Sequence, residues 1–326
     1  MLPKFTYVRP TTVNEALAVL NDRPALIHGG GTDLLGCLRD GIFSADTLVS
    51  LSSIDELKDI REATDGGLRI GALAKVAEIA TSEKVAAGYT ALAEAASEVA
   101  SPQLRNQGTI GGNLCQKPRC WYYRGHFDCL RKGGDLCFAF EGENQYHCIF
   151  GGDMCYIVHP SDTAPALAAL GAVCRVSGPT SSRSVAVESF HVPPTEDPQH
   201  ETVLGPDEIL TEIVLPAPAK GLRSSYRKVR TRGAWDFALA GIALAIVFDG
   251  DRVRSARVFL SGAAPVPWRS KAAEEAIVGT TLDTDTIEKA AAATVEGAEP
   301  LEHNGYKVAL FEGLVTEQLE AIRGKD

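Results

Sequence analysis

Apolar and polar positions change period several times along this chain, and the changes divide it. Residues 1–60 alternate short apolar runs with helical patterns. Thr12 and Glu15, at the spacing of a capping box, predict a helix over Val13–Leu20. Ala25–His28 is an apolar run that stops at Gly29-Gly30-Gly31-Thr32-Asp33. Thr47–Leu51 and Leu68–Leu73 read as strands, and Lys75–Thr81 and Ala91–Ala100 as Ala-rich helices. Strands alternating with helices imply an α/β region. The segment 101–115, SPQLRNQGTIGGNLC, breaks the pattern.

Residues 116–156 then show neither a 3.6-residue period nor alternation, yet hold nine of the chain's aromatic residues. A stretch this long without periodicity is functional or disordered, and its aromatic content argues against disorder. Something other than secondary structure is expected to hold it together. Regular patterning resumes with a helix over Thr163–Leu170 and a strand over Ala172–Val176. Residues 178–205, rich in Pro, Ser and Thr, read as a connecting stretch. A strand over Ile209–Leu215 precedes the linker Pro216-Ala217-Pro218-Ala219. In the last third, Ser225–Arg230, Leu239–Phe248 and Val253–Leu260 read as strands, the last two joined at the hairpin signal Asp249-Gly250. Helices are predicted over Ala272–Val278, Thr284–Ala293 and Tyr306–Arg323, giving an α+β end with a small antiparallel sheet.

Composition narrows the function classes. A length of 326 residues suggests two or three domains. With 45% hydrophobic and 23% charged residues the chain is an ordinary globular one. No run of 18 apolar residues predicts a membrane span, and the first residues hold no apolar core of signal-peptide length. A cytoplasmic location is therefore expected, with export to the periplasm left open for a complex carried by a partner's signal. A net charge of −10 without a basic patch argues against nucleic acid and anionic membrane as partners.

Four constellations could carry chemistry. His28-Gly29-Gly30-Gly31-Thr32-Asp33 follows a strand, and successive glycines let backbone N–H groups cradle an anion. It is neither a Walker A loop nor GxGxxG. Gly108-Thr109-Ile110-Gly111-Gly112-Asn113-Leu114 has the same character, so two loops could clamp a diphosphate; unrelated tight turns are the plain alternative. Ser161-Asp162 opens a helix, where an N-cap is the plain reading. Lastly, five of the eight cysteines, Cys120, Cys129, Cys137, Cys148 and Cys155, fall within 36 residues. No CxxC occurs, so the usual zinc spacings are missing. Four thiolates in an aromatic, irregular segment could hold a [4Fe–4S] cluster or zinc, and metal–thiolate bonds would supply the missing cross-links. Spacing alone does not separate the two. His126 and His147 flank cysteines but fit supporting or core roles better, and Cys37, Cys115 and Cys174 read as packing residues. No GxSxG or HExxH motif offers a hydrolytic site.

Gly29–Leu34, GTIGGNL at 108–114, HPSD at 159–162 and SYRKVRTRGAWDFALAG at 225–241 together resemble the FAD-binding medium subunit of the molybdenum hydroxylase (xanthine dehydrogenase) superfamily. The insert at 116–156 is similar to the loop of the subgroup that carries a [4Fe–4S] cluster beside FAD, which includes periplasmic aldehyde oxidoreductase flavin subunits and 4-hydroxybenzoyl-CoA reductase β subunits. The resemblance implies an α+β chain. A two-part PCMH-type (vanillyl-alcohol-oxidase-like) FAD-binding domain would span 1–218, and a C-terminal flavin-subunit domain 219–326. It implies that His28, Gly29, Gly30, Gly31, Thr32, Asp33 and Leu34 wrap the FAD diphosphate, completed by Thr109, Gly112 and Asn113. Asp162 would bond the ribityl or flavin portion, with Lys228 near the isoalloxazine. Cys120, Cys137 and Cys155 would ligate the cluster. The fourth ligand would be Cys129 on the aldehyde-oxidoreductase pattern, to which FDCLRKGGDLC is closer, or Cys148 on the reductase pattern. The implied function is electron transfer within a heterotrimer. A large subunit would hold the molybdenum cofactor, a small one two [2Fe–2S] clusters, and an external acceptor would take electrons from FAD. Aldehyde oxidation is the expected chemistry of the complex, 4-hydroxybenzoyl-CoA reduction the alternative. A zinc-stabilised module without redox function is the alternative of another class.

Overall fold

The computed structural model describes residues 1–324 as three sheets. Thr6–Val8 (β1), Leu26–His28 (β2) and Thr47–Ser50 (β3) form a small parallel sheet of order β1-β3-β2. The helix Val13–Asp22 crosses between β1 and β2 and buries Ala16, Leu17 and Leu20. Thr12 Oγ1 accepts from Glu15 N at 3.2 Å, but the Glu15 carboxylate returns to Thr11 N and the Thr11 hydroxyl, one residue further back than a capping box requires.

Ile60–Glu62 (β4), Leu68–Gly71 (β5), Val173–Ser177 (β6), Ser182–Ala186 (β7) and Ile209–Leu215 (β8) form an antiparallel sheet of order β4-β5-β8-β6-β7. β7 corrects the expectation that 178–205 is only a connection. It is an edge strand with mostly exposed polar side chains, so it carries no apolar alternation to read. The helices Val76–Thr81, Thr90–Glu98 and Thr163–Ala169 share a core with this sheet.

Leu222–Val229 (β9), Ala240–Asp249 (β10), Arg252–Ser261 (β11) and Trp268–Arg269 (β12) form the antiparallel C-terminal sheet, of order β12-β11-β10-β9. β10 explains its own near-continuous apolar run. Ile242, Leu244 and Ile246 face the helices Lys271–Ile277, Thr284–Thr294 and Tyr306–Arg323, while Ala243 and Ala245 join the core of the preceding domain. Small residues on that second face let the helix Thr90–Glu98 approach β9, and Thr163–Ala169 approach β10 and β11. The result is a mixed α/β fold, with a two-sheet N-terminal domain packed against a C-terminal domain built on an antiparallel sheet. No described helix is long and apolar enough to cross a membrane.

The segment 116–156 contains only the turn of helix Trp121–Arg124 and the 3-10 turn Leu130–Lys132. Its aromatics contact one another: Phe127 meets Tyr122 and Phe138, and Phe140 stacks on Tyr156. Ile149 and Phe150 enter the C-terminal core, where Phe150 stacks on Trp268 with ring centroids 4.9 Å apart.

His191 is buried in the first of these cores, its Nε2 3.1 Å from the Leu114 carbonyl, and burial lowers its pKa to about 4. The unfolded chain therefore binds a proton below pH 6.5 that the folded chain refuses, and stability falls as pH drops from 6.5 toward 4. His191→Gln keeps a donor for Leu114 but cannot titrate. Its unfolding free energy, followed in urea, should fall less steeply over this window by about one proton's worth of slope. Parallel slopes for the two proteins would contradict the assignment.

Candidate functional site

A cavity of about 1180 Å³ opens where the two domains meet. It lies at the carboxyl end of β2, the end at which parallel strands present ligand loops. Gly29, Gly30, Gly31, Thr32, Asp33 and Leu34 line it on one side, and Thr109, Gly112 and Asn113 on another. The two glycine loops are in close contact: a Cβ on Gly30 would stand 2.1 Å from the Gln107 carbonyl oxygen. Gly31 adopts φ +74° and a Cβ there would strike the His28 ring. His28 itself is not among the lining residues. Its ring turns beneath Gly31 and meets Tyr7 of β1 edge-on at 5.9 Å.

Asp33 reaches the wall of the cavity, but its carboxylate is fully engaged. It accepts from Lys117 N and Arg124 Nη2, both at 2.8 Å, and from Arg119 Nη2 at 3.0 Å. The Arg124 Nη1 also points at Cys37 Sγ, 2.7 Å away. This residue therefore fastens the irregular segment to the glycine loop. As a result Lys117, Arg119, Arg124, Arg131 and Lys132 bring positive charge to the cavity wall, which suits a diphosphate. The sequence reading missed these five. Their signal was a local excess of cations over 116–132 in a chain that is acidic overall.

Thr109 Oγ1 caps its own helix by accepting from Gly112 N at 3.2 Å. Asn113 Oδ1 accepts from the Ser161 and Thr163 hydroxyls, joining the second glycine loop to HPSD. Ser161, not Asp162, caps the helix that follows, through Ala164 N at 3.0 Å. Asp162 is thereby free for another task. Its carboxylate takes the Tyr226 hydroxyl at 2.7 Å and Lys228 Nζ at 2.8 Å, both from β9. Burial raises the Asp162 pKa despite the adjacent ammonium. Asp162 and Lys228 both line the cavity.

A gap of only about 10 Å³ is lined by Cys120, Cys129, Cys137 and Cys155, together with Tyr122, Tyr123, Arg131, Phe138 and His147. The four cysteines come from separate turns of the irregular segment. A hydrogen bond between Cys137 and Cys155 favours thiolate at the first and thiol at the second. Cys148 is buried outside this lining, and burial raises its thiol to about 12. His147 Nε2 stands 3.3 Å from Cys120 Sγ, a supporting position, whereas His126 is exposed. Cys37 and Cys174 are core residues, and Cys115, half-buried just after the second glycine loop, is part of the lining of the large cavity. Among the described residues, no three or more His, Cys, Asp or Glu side chains are drawn together in a way that would hold a metal ion. Tyr123 and Arg131 line both cavities and form the partition between them.

The chain matches the family described as "FAD binding domain in molybdopterin dehydrogenase" over residues 3–218, and "CO dehydrogenase flavoprotein C-terminal domain" over 224–322. It is 38% identical to the aldehyde oxidoreductase FAD-binding subunit PaoB of Escherichia coli K12, over 98% of this chain and 99% of that one. It is 28% identical to the carbon monoxide dehydrogenase medium chain of Hydrogenophaga pseudoflava, over 98% and 97%. A solved structure of carbon monoxide dehydrogenase from that organism superposes with a TM-score of 0.79 at 28% identity, covering 99% of this chain and 98% of the other.

Gly30→Ala should force the two glycine loops apart, an overpacking cost of about 1–3 kcal/mol. FAD retained through purification should fall about tenfold while the far-ultraviolet circular dichroism is unchanged. Full FAD occupancy would show that the loops do not form the binding edge.

Proposed function

This chain belongs to the FAD-binding subunit family of the molybdenum hydroxylases, and from that premise we propose that it is the electron-transfer subunit of an aldehyde-oxidising, molybdenum-dependent heterotrimer, carrying a [4Fe–4S] cluster beside its FAD. The proposed partners are a large subunit holding the molybdenum cofactor, a small subunit holding [2Fe–2S] clusters, and an external electron acceptor. When bound, FAD exchanges electrons singly with clusters and in pairs with other acceptors. The chain's residues bind, orient and tune. The loops 29–34 and 108–113 would hold the diphosphate through backbone N–H groups, with Lys117, Arg119 and Arg124 adding charge. Lys228, kept in place by Asp162, would lie beside the flavin ring and favour negative charge on its reduced form.

The observation that carries the reading is the pair of cavities sharing Tyr123 and Arg131: a flavin-sized space on one side, four cysteines on the other. Four thiols is the ligand number of a [4Fe–4S] centre. The buried Arg131, paired with Glu201 at 2.8 Å, sets positive charge beside them. Cys129 is favoured as fourth ligand because it lines the cavity and Cys148 does not. The 38% identity to an aldehyde oxidoreductase subunit supports aldehyde oxidation over thioester reduction.

The purified complex should absorb near ~450 nm with a broad iron–sulfur shoulder and contain about four irons per FAD on this chain. Cys129→Ser should lose that iron and Cys148→Ser keep it. The reverse result would reassign the fourth ligand, and a zinc-loaded chain without iron would overturn the cluster.

A further inference from the structure

The connection between β9 and β10 contributes Trp235, Asp236 and Phe237 to the wall of the large cavity. At 66% exposure, Trp235 is the most exposed aromatic side chain among the described residues. Its backbone is not relaxed. Trp235 has φ +54°, in the left-handed region that strains every residue but glycine. Its N–H donates to the Ala100 carbonyl at 2.8 Å, and Ala100, which also lines the cavity, is itself left-handed at φ +45°. Two of the four left-handed non-glycine residues described thus meet on the cavity wall, one from each domain. A glycine stands two residues earlier, at Gly233, yet the strained position holds an indole. Strain kept in place by its surroundings gathers where a ligand is held.

The connection is braced on both sides. Arg232 Nη2 donates to the Trp235 carbonyl at 2.9 Å, and its guanidinium lies 5.8 Å from the indole centroid. The Phe237 ring takes the Arg119 guanidinium at 5.0 Å, and Arg119 is paired with Asp33 of the first glycine loop. Residues 232–237 are therefore tied to the glycine loop at one side and to the end of the helix Thr90–Glu98 at the other. The same helix end holds Lys228. The Glu98 carbonyl accepts from Lys228 Nζ at 3.3 Å, two residues before the carbonyl that takes Trp235. Lys228 and Trp235 are thus anchored side by side, and both line the cavity. An indole left open to water is costly in apolar surface, and a planar aromatic ligand beside it would cover that surface.

We infer that Trp235 is a flavin-contact residue, an indole that the C-terminal domain holds beside Lys228 to cover the ring of bound FAD. The inference rests on FAD occupying this cavity. Aromatic contact at the ring end adds to the grip of the two glycine loops on the diphosphate end. The contacts to Ala100 and Arg232 fix the indole before FAD arrives, so little freedom is lost on binding.

The experiment is a fluorescence titration with FAD of the intact complex, stripped of its flavin beforehand. Trp235→Gly suits the left-handed backbone, keeps the N–H for Ala100 and removes only the ring. Its Kd for FAD should rise about tenfold. Trp235→Phe keeps an aromatic ring and should bind within about threefold of wild type. It should also lose part of the quenching of tryptophan emission that FAD causes in the wild-type complex. Wild-type affinity in Trp235→Gly would overturn the inference and leave the FAD site standing, and so would undiminished quenching in Trp235→Phe. A wild-type complex that takes up no FAD would overturn both.

Discussion

Asp162 sits in the interior between the two domains, where a carboxylate is tolerated only with strong partners. Lys228 and Tyr226 reach it from β9, and their polar groups are buried in turn. Removing one partner of such a set typically costs about 3–5 kcal/mol, because the other is left charged and dry. The same strand is fastened a second time: Glu94 accepts from Tyr226 N at 2.7 Å, and Arg230 pairs with Glu98 at 2.8 Å. The position of the C-terminal sheet against the helix Thr90–Glu98 is therefore fixed by polar contacts as well as by apolar packing. The large cavity, the proposed FAD site, is the space this arrangement leaves open. Its walls come from both domains, and Lys228 can stand in it only because Asp162 holds it there.

The irregular segment is joined to that frame at two ends. At its start, Asp33 and Cys37 take Arg124, which ties the segment to the glycine loop. Near its end, Asn144, Ile149 and Phe150 are absorbed by the C-terminal domain. Between these anchors it has little secondary structure, and its aromatic side chains surround four cysteines. Cation-bearing turns face the large cavity and sulfur-bearing turns the other side, with Tyr123 and Arg131 between.

Much of this was readable in the sequence where a local rule governs. The helix Tyr306–Arg323 and the hairpin at Asp249-Gly250 follow from period and turn chemistry, and the glycine loops announce close backbone approach. Short or polar elements were not readable: β1 and β12 are too brief to show a period, and β7 is a polar edge. The roles of Asp33 and Asp162 were hidden for another reason. Each carboxylate is committed to cations that lie roughly 65–90 residues away in sequence, so only the folded chain shows that Asp33 serves as an anchor. The left-handed turn at Trp235 was unreadable on the same ground, because the Ala100 carbonyl that holds it lies about 135 residues earlier.

The proposed function turns on whether Cys120, Cys129, Cys137 and Cys155 hold iron beside the flavin. Anomalous diffraction from crystals of the holo-complex, collected on either side of the iron absorption edge, locates the metal directly. A strong iron peak is expected among Cys120, Cys129, Cys137 and Cys155, across Tyr123 and Arg131 from FAD. A peak that persists below the iron edge and rises at the zinc edge, or iron centred on Cys148 instead, would contradict it.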